Sequence, residues 1–167
     1  MLIYEYPNDE AGALMEHAMQ CGGGVECFAR ENNGGAVMLC GNGKATGYAR
    51  ERNVELLFSG GNCGERGGEW LFWVGLWTPV EYRSEFVAWY QCEHMPMLLE
   101  CPIWDGCRFV EQQVTEGCQF YALHQLASRA ALDSEERQRS RATPWFKRLA
   151  KNDWFDGAFS RVLCRRI

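Results

Sequence analysis

The stretch from Thr78 to Met97 limits the possible folds more than any other part of the chain. Phe86, Trp89, Tyr90 and Met97 recur at i, i+3, i+4 and i+11, the apolar stripe of a helix that packs one face onto something larger. Thr78-Pro79-Val80-Glu81 predicts its start, with Thr78 as N-cap, Pro79 at the first helical position and Glu81 as the capping-box partner. Pro96 lacks a backbone N–H and disfavours helix at Met95, so the predicted end lies near His94. Glu93 and His94 continue the apolar row. A carboxylate and an imidazole on such a face form either a satisfied structural pair or a working acid–base site.

Around that helix the chain reads as strand Leu71–Trp77, the helix, strand Gly106–Gln112 and strand Cys118–His124, with a hairpin turn at Val114-Thr115-Glu116-Gly117. A charged helix over Ala130–Arg141, a short one opened by Thr143-Pro144 and running to Ala150, and strand Ala158–Cys164 complete it. The order β-α-β-β-α-β is the split-βαβ, ferredoxin-like arrangement: a four-stranded antiparallel sheet with helices on one face. Its other face needs a cover, and a second such sheet is the obvious one.

Residues 1–69 read more sparsely: strand Leu2–Tyr6, a helix from about Asp9 to Met19, strands Val25–Arg30 and Ala36–Cys40 around the turn Asn32-Asn33-Gly34-Gly35, and a short strand Val54–Phe58. Fourteen of the 18 glycines fall in residues 1–68 and all seven tryptophans at 70 or beyond, so Ser59–Gly68 is the natural linker. Gly41-Asn42-Gly43-Lys44 lacks the spacing of a phosphate-binding loop and reads as a turn. The predicted organisation is a degenerate ferredoxin-like half, 1–69, followed by a complete one, 70–167. Glu16-His17 and Glu93-His94 each close a predicted helix, and Cys21/Cys27 match the spacing of Cys101/Cys107. A duplication would let two sheets form an α+β barrel within one chain, an intrachain pseudo-dimer; without it a homodimer would have to do so.

Composition removes several functions. A net charge of −5 without a long basic block argues against nucleic acid, and Arg137, Arg139, Arg141, Arg165 and Arg166 read as solvated helix and tail. No run approaches the length of a membrane span, and the start lacks a positive n-region, so a cytoplasmic protein is expected. The nine cysteines contain no C-x-x-C pair, which fits small hydrophobes in a reducing compartment and no metal site.

Trp89-Tyr90-x-x-Glu93-His94-x-Pro96, the strand carrying Arg108, Thr143-Pro144-Trp145 and the closing Arg161-Val162 strand resemble the dimeric α+β-barrel superfamily, especially its EthD-like branch, over residues 70–167. The resemblance implies a small pocket between sheet and helices. Its relatives include muconolactone isomerases, cofactor-free monooxygenases of aromatic or quinol compounds, and members with no known activity.

His94 is the first candidate for a general acid or base, with Glu93 beside it as orienting partner. Equally, His94 could stitch helix to sheet through backbone hydrogen bonds. Arg108 could hold a carboxylate or enolate oxygen, and Trp89, Tyr90, Trp104 and Tyr121 could line the pocket. Trp73 and Trp77 are further aromatic candidates. Strand alternation puts Tyr121 and His124 on opposite faces. Cys92, Cys101 and Cys107 lie near His94 in sequence and could supply a nucleophile. The reading is an α+β barrel that binds a small organic molecule without a cofactor, with His94 moving a proton on an aromatic, polyketide or lactone-like substrate as an isomerase, lyase or monooxygenase. The alternative is a non-catalytic binding or assembly module whose Glu93 and His94 are structural. The acid–base reading requires His94 and Arg108 to converge on one cavity.

Overall fold

The computed structural model describes residues 1–7, 11–21, 24–31, 34–41, 50–64 and 67–167. Strands β1 (Leu2–Tyr6), β2 (Val25–Arg30) and β3 (Ala36–Cys40) and helix α1 (Ala11–Cys21) occur where the pattern places them. The Gly41–Lys44 turn and Asn32-Asn33 fall largely outside the described residues, although Gly34 and Gly35 take the positive φ values, 59° and 80°, that a tight reversal needs. Strands β4 (Arg50–Asn53) and β5 (Glu55–Gly61) extend the predicted Val54–Phe58 strand at both ends. Then follow β6 (Trp70–Thr78), α2 (Arg83–Trp89), α3 (Met95–Leu99), β7 (Trp104–Gln112), β8 (Cys118–Leu126), α4 (Glu135–Ser140), α5 (Pro144–Leu149) and β9 (Phe159–Arg166).

The nine strands among the described residues form one antiparallel sheet in the order β4-β1-β3-β2-β9-β6-β8-β7-β5. Its two ends, β4 and β5, are consecutive in the chain and separated only by Val54, whose N–H donates to the Met1 carbonyl at 3.0 Å. The sheet is therefore nearly closed into a barrel. The expected linker is corrected by this topology, because Ser59, Gly60 and Gly61 pair with Arg108, Cys107 and Gly106 of β7. β9 likewise pairs with β6 along most of its length and with β2 at its end.

Side-chain alternation sorts the sheet into two faces. Ile3, Phe28, Leu39, Leu71, Trp73, Val110, Tyr121 and Leu123 fill the barrel interior. On the outside of residues 70–167, Phe86, Trp89, Tyr90, Met95 and Leu98 pack on Phe109, Phe120 and Ala122. Tyr4, Tyr6, Leu14, Ala36 and Met38 form the counterpart beneath α1, where Tyr6 is hydrogen-bonded to the buried His17. Among the described residues no helix is long and apolar enough to cross a membrane.

Three local expectations are corrected. Thr78 ends β6 as a buried strand residue, and the helix entry is a 3-10 turn, Val80–Tyr82, with Pro79 in the N-cap position and no side-chain cap. The helix does not stop at His94: Tyr90–His94 form a π turn that runs into α3. The wide turn hands the Met95 N–H to the Tyr90 carbonyl, so Pro96 falls in the first turn of α3, where its missing donor is tolerated. The predicted helix over 130–141 divides into a 3-10 segment, Arg129–Asp133, and α4, because the Ser134 side chain caps the latter by accepting from Arg137 N.

Candidate functional site

A cavity of about 390 Å³ lies between the outer face of the sheet and the helices, in the range of small-molecule sites. Its floor is Phe72, Val74 and Leu76 of β6, His124 of β8, and Phe159 and Arg161 of β9. Trp89, Tyr90, His94 and Leu98 form one wall, and Arg137, Arg141, Phe146 and Ala150 complete the lining beside it, with Phe146 5.9 Å from the Trp89 ring.

The π turn sets the geometry of the first wall. Such single wide turns concentrate at functional sites because they offset side chains from the regular helical grid. His94 stacks on Trp89 with ring centroids 4.6 Å apart and lies 5.0 Å from the Tyr90 ring. Burial holds the His94 imidazole well below its usual range, at about 3, opposed by a hydrogen bond to the Ser140 backbone and reinforced by the Arg141 and Arg137 charges. His94 is thus neutral at pH 7. Its Nδ1 is buried without a hydrogen-bond partner among the described residues.

Trp104 reaches the cavity through an irregularity. Pairing steps from Trp104↔Leu126 to Gly106↔Gln125, so Asp105 is an extra residue on β7. Without that bulge, parity would put Trp104 with Arg108, on the barrel side. Its indole N–H instead donates to His124 Nδ1 at 3.2 Å, while His124 Nε2 lies 3.1 Å from the Tyr90 hydroxyl. An indole nitrogen only donates, so Nδ1 must be the acceptor and the proton of the neutral ring sits on Nε2. That proton goes to the Tyr90 oxygen, and the Tyr90 hydrogen remains free to donate to a ligand. Burial first, then the neighbouring His94 and Arg137, pushes His124 well below its ordinary pKa, and burial pushes the Tyr90 phenol well up. The Trp104–His124–Tyr90 chain is therefore a neutral relay that ends in an O–H donor.

Four of the seven sequence-predicted residues line this cavity: His94, Trp89, Tyr90 and Trp104. Glu93 does not. Its Oε1 accepts from Trp89 Nε1 at 3.2 Å and from Thr143 Oγ1 at 2.6 Å, and the same hydroxyl caps α5 by accepting from Phe146 N at 3.0 Å. Glu93 thus clamps the helix to the start of α5 and orients the indole on which His94 stacks. The expected convergence of His94 and Arg108 is not met, so the acid–base reading that relied on Arg108 to hold the oxyanion falls in that form, and His94 shares its cavity with Tyr90 instead. Arg108 points into the barrel, where it pairs at 2.6 Å with Glu26, a buried carboxylate that also receives Gln125 and Arg166. Tyr121 is on that same interior face, donating to Gln112 Oε1 at 2.9 Å beneath the Arg52 guanidinium. Trp73 also faces the barrel interior, and Trp77 is surface-exposed.

Missed in the sequence are His124, Arg137, Arg141 and Arg161. His124 was legible as the opposite face from Tyr121, but nothing in the sequence says which face holds the cavity. The reading of Arg137 and Arg141 as solvated helix is corrected by their place in the lining, and Arg166 is tied to Glu26. None of the nine cysteines lines the cavity: Cys92 is exposed, and burial raises the Cys107 thiol well above its ordinary range. Among the described residues no group of His, Cys, Asp or Glu side chains could hold a metal ion.

No family model and no curated protein matches this chain. Solved structures do. A monooxygenase-like protein from Listeria innocua superposes over 99% of this chain and 93% of its own at TM-score 0.67 and 15% identity. An anthrone oxidase-like protein covers 99% and 90% at TM-score 0.66 and 10% identity. A heme-degrading enzyme from Listeria monocytogenes covers 99% of both chains at TM-score 0.64 and 15% identity. At such identities the likeness establishes the ferredoxin-like α+β-barrel fold, which hosts many chemistries.

Proposed function

We propose that this chain is a cofactor-independent enzyme of the α+β-barrel type that binds a small, flat organic molecule in the helix-side cavity and moves a proton on it through His94. The observation that carries this reading is one cavity that presents a neutral imidazole beside a Tyr90 hydroxyl committed to donating. Those two groups suit proton removal next to a carbonyl: His94 takes the proton, and the Tyr90 O–H stabilises the oxyanion that forms. Negative charge beside Arg137 and Arg141 would also relieve their depression of His94, so basicity rises as the enolate develops. Aromatic, polyketide and lactone-like carbonyl compounds fit the aromatic lining, whether the outcome is isomerisation, elimination or oxygenation.

The names of the neighbours support the oxygenation arm. Heme, the molecule named for the L. monocytogenes neighbour, would find no ligand in His124, both of whose nitrogens are engaged; among the described residues Nδ1 of His94 is the imidazole nitrogen of the cavity left without a partner.

The EthD-like resemblance and the duplication belong to the same proposal. The strand order β4-β1-β3-β2 repeats as β9-β6-β8-β7, with α1 and α2 each following the first strand of its set. Residues 1–69 then stand where a second subunit would, and a cytoplasmic monomer suffices. The alternative, a non-catalytic binding or assembly module, draws on the structural contacts of Glu93.

Oxygen uptake with anthrone as the probe separates the two. The enzyme reading expects consumption above the protein-free rate, falling by about a hundredfold in His94→Ala under conditions where circular dichroism shows the variant still folded. Saturable binding of anthrone with neither oxygen uptake nor accelerated deuterium exchange at its CH2 group, or either activity left intact in His94→Ala, contradicts it.

A further inference from the structure

Nine of the described arginines are held in ion pairs with glutamates. Arg50 apart, the described arginines outside such pairs are Arg137, Arg141 and Arg161, and all three line the helix-side cavity. In a chain of net charge −5 this is a local inversion of sign. Asp156 lines the same cavity and forms no ion pair with them among the described residues. The three feel one another: burial first, then the neighbouring guanidinium groups, lower Arg137 and Arg161 from the ordinary arginine range. Two are held by stacking instead of by carboxylates, Arg137 5.9 Å from the Phe72 ring centre and Arg161 4.9 Å from that of Phe159. Arg137 is partly buried and Arg141 and Arg161 are exposed at the cavity rim, so the three present guanidinium forks without a carboxylate partner, and such planar forks match a carboxylate.

We infer that the ligand of this cavity is a flat aromatic acid whose carboxylate is clamped by Arg137, Arg141 and Arg161 while its ring lies against Trp89 and Trp104. The inference rests on the reading of the cavity as the ligand site and adds the chemical class of what enters. The clamp also fixes orientation. The arginines lie close enough to His94 and Tyr90 to shift both, so an acid held by them brings its ring to those two groups.

Calorimetric titration with 2-naphthoate and its neutral isostere 2-naphthamide tests the clamp. The carboxylate is expected to bind about tenfold or more tighter than the amide, and Arg141→Gln and Arg161→Gln to remove that preference while sparing amide affinity. Both arginines are exposed residues without ion-pair partners, so their replacement leaves the fold intact, and Arg137, which donates to the Leu132 carbonyl, is best left in place. Equal binding of the two probes, unaltered naphthoate affinity in both glutamine variants, or no binding of either probe overturns the clamp. Ala150→Trp, which fills the cavity, should abolish binding of both probes. If it does so while the glutamine variants have no effect, the cavity reading stands and the clamp falls. If it changes neither probe, the cavity itself is not the site.

Discussion

In Trp104→Phe the indole N–H that His124 Nδ1 accepts is lost, while most of the buried ring area remains. The unpaired nitrogen should cost about 1–3 kcal/mol, read from the urea midpoint, and free His124 to change tautomer, visible in its nitrogen NMR shifts. Glu93→Ala should cost a similar amount, about 1–3 kcal/mol, because two part-buried donors lose their acceptor, yet leave turnover measurable. The reverse pattern, intact stability with lost turnover, would return Glu93 to catalysis. His94 also sets a pH dependence. The unfolded chain protonates it near 6.5, the folded chain only near 3, so the unfolded state holds the extra proton between them. Stability should therefore be full above pH 6.5 and fall on acidification towards 3, with His124 acting in the same direction, and the slope should shrink in His94→Asn. Aromatic spacing made His94, Trp89 and Tyr90 legible in the sequence. Arg108 and Tyr121 were misplaced because parity tells which residues share a face but not which face is hollow.

Elements were legible where a single local rule governed them. The Thr143 cap, the strands Leu2–Tyr6, Val25–Arg30 and Ala36–Cys40, and the glycine turn at 117 follow from their own residues. Pro96 misled because its missing donor falls beside a π turn, which no short motif announces. The Asp105 bulge was equally silent, and it alone brings Trp104 to the cavity. Gly61 shows a glycine acting in an element instead of a linker. At φ 70° its added Cβ would sit 2.3 Å from the Asp105 carbonyl, where β5 closes on β7. Gly61→Ala should cost about 1 kcal/mol or more in thermal unfolding, whereas Gly157→Ala, which meets nothing within 4 Å, should be neutral. Equal effects at both sites would mean that the β5–β7 junction is not tightly set.

At the scale of the molecule, composition pointed to two halves, but the sheet does not respect the boundary. β5 belongs by pairing to residues 70–167, and β9 reaches back to β2. A fragment of residues 70–167 should consequently expose β7 and the end of β9 and self-associate through them, which light scattering would register; a stable monomeric fragment would contradict this account of closure. The barrel interior is filled by packed apolar residues and the Glu26 ion-pair cluster, which leaves the helix side as the place for a ligand. That claim is tested most directly by following the indole N–H signals of the tryptophans during titration with 2-naphthoate. Trp89 and Trp104 should shift in saturable fashion while Trp73, inside the barrel, and Trp77, on the surface, stay in place. Movement of Trp73 or Trp77 with Trp89 and Trp104 unmoved would contradict it.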